Sequence, residues 1–362
     1  MNQIPPTSTH QESSISQKKQ RIEFFDLAKG FCIFLVVVYH VSKFYGVELP
    51  GTSIIKSMRL PLYFFLSGCF FKTYGGFGDF MLRKCNKLLF PFLFWFVFSL
   101  GLDALLFFTL DVKLFSNYDL TLRSIISNSV YGPFPNAPIW FLLCLFWVNL
   151  IFYTIHLVIS KWSVNQPIAI GLSTIVIGMM GVTLSHFGIR VPLYVDSALI
   201  AMPFFAFGYY FFRYTPLASK HKSDRFFPLV IIVFFVLLYF MAPNYSLGKI
   251  VNINFHTFLA VYLSGFIGTL SVIMLSKMIQ KLPVVSFWGR YSIMILVTHG
   301  IVYRLISIFI LTPLNRYVLM GPNALFIINL VLTLTFCTIL IPFMLRFMPH
   351  VTAQKDIVKV GS

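Results

Sequence analysis

Apolar runs of about twenty residues recur along this chain, divided by short polar stretches. They fall at roughly 24–45, 52–72, 86–109, 138–160, 167–187, 196–213, 226–242, 253–276, 291–312 and 323–347. Each is close to the ~20 residues an α-helix needs to cross a hydrocarbon core. The pattern predicts an all-α, polytopic integral membrane protein, a bundle of about ten transmembrane helices. Residues 1–20 are polar and rich in Ser, Gln and Lys, with the composition of a disordered cytosolic tail. Residues 21–350 then form one transmembrane domain and residues 351–362 a second cytosolic tail.

Composition agrees. The 362 residues are 58% hydrophobic and only 11% charged, with 43 Phe, where a soluble domain carries about 25% charge. The net charge of +17 is spread through short loops, so positive-inside sorting explains it better than a nucleic-acid partner. With the N-terminus inside, 18 of the 28 Lys and Arg fall on the inner segments, nine on the outer ones, and Lys29 within the first span. That bias predicts that both termini are cytoplasmic. Cys32, Cys69, Cys85, Cys144 and Cys337 show no C-x-x-C pair, and His156, His186, His221 and His256 are scattered. Neither a disulfide framework nor a metal site is implied.

The first span carries unusual chemistry. It reads D-L-A-K-G-F-C-I-F-L-V-V-V-Y-H from Asp26 to His40. Lys29 and His40 are eleven residues apart, which is about 20° past three helical turns, so they share a face roughly 16 Å apart. Asp26 lies three residues before Lys29, on nearly the same face, within pairing reach. Ionisable groups inside a span usually face a bundle interior or a water-filled cavity and mark function. The alternative is a snorkelling Lys with a histidine satisfied by a neighbouring helix.

Other polar features have both structural and functional readings. Ser67-Gly68, in the run Met58 to Gly68, suits close helix packing. Arg83, Lys84 and Lys87 form an interfacial basic cluster suited to anionic lipid or to a phosphate-bearing ligand. Residues 101–137 form the longest outer stretch, ending in Pro133, Pro135 and Pro138. Trp140 opens the next span as an aromatic-belt residue or a cavity residue. Asp196 suits a first-turn acid. Ser292 and His299 lie in Phe287-Trp288-Gly289-Arg290-Tyr291-Ser292 and the apolar run that follows, with His299 at mid-span.

Taken together these motifs resemble the membrane-bound acyltransferase-3 family, and within it most closely the fucose 4-O-acetylase-like acetyltransferases. Lys29-x10-His40 looks like the family's (Arg/Lys)-x10-His signature, whose His is taken as the catalytic base. Pro61 to Gly68 is similar to its Pro-(Leu/Val)-Phe-Phe-x-(Leu/Ile)-Ser-Gly motif. Relatives often place a His just before the Met-Pro of this motif, whereas this chain has Arg59 there. Arg83, Lys84 and Lys87 fall where the family carries a basic cluster thought to hold acyl-CoA. Trp140-Phe141-Leu142, Pro203 to Tyr209, and Gly289 to His299 are similar to further family motifs, in the family's order.

The resemblance implies an O-acyltransferase, most commonly an O-acetyltransferase, of a bacterial cytoplasmic (inner) membrane. It would move an acyl group from cytoplasmic acyl-CoA to a hydroxyl of a cell-surface or lipid-linked carbohydrate. Acyl-CoA is a co-substrate, with no bound cofactor. His40 would act as general base, with Lys29 and Asp26 shaping the donor end. Ser67, Trp140, Asp196, Ser292 and His299 are further cavity candidates. The rival class is a transporter or flippase of a glycan or lipid-linked intermediate. Ten spans and a basic inner face suit it, but no inverted repeat or matched pair of broken spans is present.

Overall fold

The structure, a computed structural model, describes residues 22–115, 119–162, 165–215, 222–242 and 255–358. The polar tail of residues 1–20, residues 216–221 of the basic loop, the start of the eighth expected span and the final residues 359–362 lie outside them, as does His221.

Long apolar stretches become helices because no water is present in lipid to satisfy an open backbone. The passes are α1 (Glu23–Phe44), α2 (Thr52–Cys69), α3 (Phe77–Lys84) running into α4 (Phe90–Leu110), α6 (Trp140–Ser160), α7 (Gln166–His186), α8 (Val195–Tyr214), α9 (Phe227–Met241), α10 (Phe255–Ile279), α12 (Ser292–Ile306) and α14 (Pro322–Phe347). Three short helices lie between them: α5 (Leu122–Tyr131), α11 (Pro283–Arg290) and α13 (Thr312–Asn315). Nine helices among the described residues are long and apolar enough to span a membrane. The expected second span, α2, falls outside that set because Lys56, Arg59 and a polar first turn dilute it. Yet α2 is enclosed, buried from Ser57 through Leu66 between α1, α8 and α10.

Two features depart from the sequence expectation. The outer stretch of residues 101–137 contains helix α5, whose Thr121 hydroxyl accepts from the Ser124 amide and caps its start. The third pass is a single 34-residue helix from Phe77 to Leu110, with a π-helical turn at Cys85–Leu89. A second π turn, Ser307–Leu311, joins α12 to α13.

The core is set by two glycine-mediated crossings. On α1 and α11, a Cβ at Gly30 would strike the Val285 carbonyl, and one at Gly289 would strike the Asp26 carbonyl. On α2 and α8, a Cβ at Gly68 would strike the Phe205 carbonyl, and one at Gly208 the Phe65 carbonyl. Each pair meets backbone to backbone, the small-residue contact that holds helices together where lipid supplies no hydrophobic force. The enclosed passes are central: 67% of the most apolar stretch of α1 is buried, against 11% for α9. Residues 349–358 fold back onto the π turn of the third pass. Asn86, fully buried, donates to the Val358 carbonyl at 2.8 Å and accepts from the Ile357 and Val358 amides at 3.0 Å. Trp95 donates to the Val351 carbonyl at 3.1 Å.

Candidate active site

Helix α1 is unbroken from Glu23 to Phe44, so Lys29 and His40 stand on one face as the spacing predicts. At the His40 end, α1 meets α12. The His40 and His299 rings lie 5.4 Å apart between centroids. His299 is fully buried, and its Nδ1 donates to the Ile295 carbonyl at 2.8 Å, one turn back on α12. A carbonyl can only accept, so that contact places the proton on Nδ1 and leaves Nε2 as the lone-pair nitrogen. Nε2 is buried, with no hydrogen-bond partner among the described residues.

The bundle braces this pair from several sides. Asn136, fully buried ahead of α6, donates to the Val297 carbonyl at 2.7 Å, and its Oδ1 packs where a Cβ at Gly300 would sit. The α6 entrance is thereby pressed against the two residues that flank Thr298 and His299. On the other side, Asn329 of α14 donates to the Tyr303 carbonyl at 2.9 Å and to the Tyr45 hydroxyl at 2.7 Å. One buried amide thus ties the end of α1 to α12, a turn beyond each histidine. Thr333 donates to Asn329 Oδ1 at 2.9 Å and completes that amide's set.

Cations surround the His40 end. Arg59 of α2 is 5% exposed, and its guanidinium lies 3.5 Å over the ring of Tyr39, next to His40. Its carbonyl accepts from the Cys32 thiol at 2.9 Å. Arg59 thus meets α1 at two levels, its backbone at Cys32 and its guanidinium at Tyr39. Arg304 donates to the Gly300 carbonyl at 2.7 Å and stacks on Phe115 and Tyr303 at 5.0 and 4.7 Å. Asp103, buried in α4, accepts from the Leu114 and Phe115 amides at 2.6 and 3.0 Å, holding that loop under Arg304.

The other end of α1 gathers a second set. Lys29 Nζ lies 4.6 Å over the Phe70 ring. Lys84 Nζ lies 5.8 Å from the ring of Phe71 and 5.4 Å from that of Phe80. Two of the lysines singled out in the sequence thus rest on consecutive phenylalanines at the end of α2. Asp26, 5% exposed, has Oδ2 3.9 Å from Arg290 Nε across the Gly30–Gly289 crossing. Arg83 pairs with Asp79 at 2.9 Å and stands 4.8 Å over Tyr74. Lys87, beyond the start of the π turn, donates to the Ala353 carbonyl at 2.9 Å and pairs with Asp356 at 3.0 Å. A straight α-helix would set Arg83 and Lys87 on one face. Across the start of the π turn that lies between them, they serve different partners.

The remaining candidates have structural partners. Ser67 is half-buried beside the Gly68 crossing. Ser292 begins α12, buried opposite the Tyr63 hydroxyl of α2. Trp140 stacks on Tyr194 at 5.1 Å. Asp196 pairs with Arg190 at 2.9 Å and accepts from the Ser197 amide at 2.8 Å, the role of a first-turn acid. His156 Nε2 lies 3.2 Å from the Tyr209 hydroxyl, a satisfied histidine remote in sequence from both ends. Arg59, Asn136 and Asn329 were not singled out from the sequence as site residues. The only available signal was polarity inside or beside an apolar run.

The acyltransferase-3 family model, described as an acyltransferase domain, matches residues 22–342, most of the chain. No curated protein and no solved structure matches. The matched region begins at α1 and ends within α14, so it contains both ends of the polar face and every brace described above. The chain belongs to this family of membrane acyltransferases.

Proposed function

We propose that this membrane acyltransferase is an O-acetyltransferase of the fucose 4-O-acetylase-like kind. It moves an acyl group from cytoplasmic acyl-CoA to a hydroxyl of a cell-surface or lipid-linked carbohydrate. The observation that carries the reading is the His40–His299 pair, 5.4 Å apart within the bundle of a chain of this family. A sugar hydroxyl is a weak nucleophile near neutral pH, and an imidazole is the side chain suited to take its proton as it attacks a thioester. His40 is the general base in this reading because it is half-buried, whereas His299 is fully enclosed.

The Lys29 end suits the donor. Lys29 and Lys84 on adjacent aromatic rings, with Arg83 and Lys87 nearby in the chain, supply the positive charge that the phosphates of coenzyme A require. Asp26 and Arg290 close that end of the α1–α11 crossing. The charge bias of the loops supports a cytoplasmic position for this end and for both termini, and the membrane in this reading is a bacterial inner membrane.

Mass spectrometry of surface glycans from host cells with and without the gene tests this reading. An acyl mass increment that depends on the protein supports it. Identical glycans, together with no thioester consumption by purified protein, would remove it.

A further inference from the structure

We propose that Arg59 stabilises the oxyanion that forms on the donor's carbonyl during acyl transfer, as a catalytic residue distinct from the base; this rests on the acyl-transfer reading above. Three observations point to it. Arg59 is a buried cation inside an enclosed helix, a placement expensive enough in a membrane to call for a task. Its backbone carbonyl meets Cys32 and its guanidinium meets Tyr39, so the residue lies beside α1 in the interval between the donor end at Lys29 and the histidine pair. Its guanidinium carbon lies 3.5 Å from the centroid of the Tyr39 ring, and a guanidinium carries five N–H donors in a planar fork, more than one aromatic neighbour can engage.

The neighbouring cations are less well placed for the same task. Lys43 is exposed beyond His40. Arg304 spends one donor on the Gly300 carbonyl and lies against Phe115, on the far side of the histidines from Lys29. A simple packing role for Arg59 explains the Tyr39 stack but not why a charge is retained at a buried position, since a Met or Leu would pack there without the desolvation cost.

The step balances as follows. The acceptor oxygen forms a bond to the thioester carbonyl carbon, and its proton passes to the His40 imidazole. The carbonyl π pair moves to oxygen, where Arg59 N–H groups hold the negative charge. That pair then re-forms the C=O bond, the C–S bond breaks, and the thiolate takes the proton from the imidazolium to leave as the free thiol of coenzyme A. Donors aimed at a developing charge act on kcat, because the charge is absent in the ground state.

The test is acetyl-CoA turnover by purified full-length Arg59→Ala and Arg59→Lys in detergent, with unfolding temperatures measured alongside. Loss of one oxyanion donor predicts a kcat lower by about 10²–10³ with little change in donor KM. Millimolar guanidinium should restore part of the Arg59→Ala activity and leave the wild type unaffected. Arg59→Lys, which keeps the charge but not the fork, should fall between the two. A loss confined to KM, a kcat within about tenfold of wild type, or a folded Arg59→Ala that guanidinium does not restore would each overturn the assignment. If Arg59→Ala does not fold, Arg59→Lys decides: a lowered kcat at unchanged KM supports the role and a wild-type kcat overturns it. If neither folds, Arg59 is a structural strut and the proposal is overturned. Absence of thioester turnover by the wild type would instead remove the acyl-transfer reading itself.

Discussion

His40 on α1 and His299 on α12 come within 5.4 Å of each other between ring centroids, although 259 positions separate them in the sequence. The enclosed ring is locked by its own helix through Ile295, and the other is half-buried. This asymmetry predicts unequal consequences. His299→Ala should slow turnover but leave it measurable, because it removes a neighbour and not the base. Side-by-side kcat values for the two alanine variants check this; a dead His299→Ala beside a working His40→Ala would exchange their roles.

The α1–α11 crossing is predicted to be among the most sensitive places in the fold. At Gly289 even one methyl meets the Asp26 carbonyl and the Gly30 amide. Overpacking a well-fitted interior costs about 1–3 kcal/mol, and more where backbone must move. Gly289→Ala should therefore lower the unfolding temperature in detergent and displace Asp26 and Lys29. Gly101→Ala on α4, where nothing lies within 4 Å, should be neutral or slightly stabilising, by ~0.5–1 kcal/mol. Equal unfolding temperatures for the two variants would contradict the close approach.

Donor binding should depend on Arg83 more than on Lys87: Asp79 engages Nε of a guanidinium with five donors, whereas Lys87 Nζ, with three, serves both the Ala353 carbonyl and Asp356. Arg83→Gln should raise the donor KM with kcat at saturation nearly unchanged, and the effect should shrink as salt rises. Steady-state kinetics over a salt series measure it. An unaltered donor KM would leave the cluster as a contact for anionic lipid.

The two-to-one loop charge bias predicts the orientation. In intact cells, a membrane-impermeant thiol reagent should label Asp111→Cys and should reach Lys220→Cys only after permeabilisation. Labelling of Lys220→Cys from outside would reverse the orientation and move the donor cluster to the wrong face.

The spans were legible because twenty apolar residues leave few alternatives, and the α1 face because 11 residues at 100° nearly close three turns. The different partners of Arg83 and Lys87 were not legible, since Ala353 lies 266 positions from Lys87. Helix α5 was hidden in a stretch whose Asp, Asn and Pro read as loop. Arg59 looked like a flanking topology charge, and only the packing of α2 between α1, α8 and α10 reveals it as interior. Asn136 and Asn329 act through contacts 161 and 26 positions away, and neither one-dimensional periodicity nor local turn chemistry carries such pairings. Ser67-Gly68 reads from the sequence as a packing pair, whereas the glycines of Lys29-Gly30 and Trp288-Gly289 looked like parts of chemical motifs. Their placement shows that part of each motif is helix packing.

The most direct test is acetyl-CoA turnover by purified His40→Ala against wild type, with expression and unfolding temperature as controls. Loss of a general base costs about 10²–10⁴-fold in rate, so turnover should fall by that amount or below detection while the protein inserts and folds normally. The double variant Tyr39→His/His40→Tyr, which turns the imidazole by about 100° off the Lys29 face, should not recover it. Near-normal turnover by a folded His40→Ala protein would contradict the account.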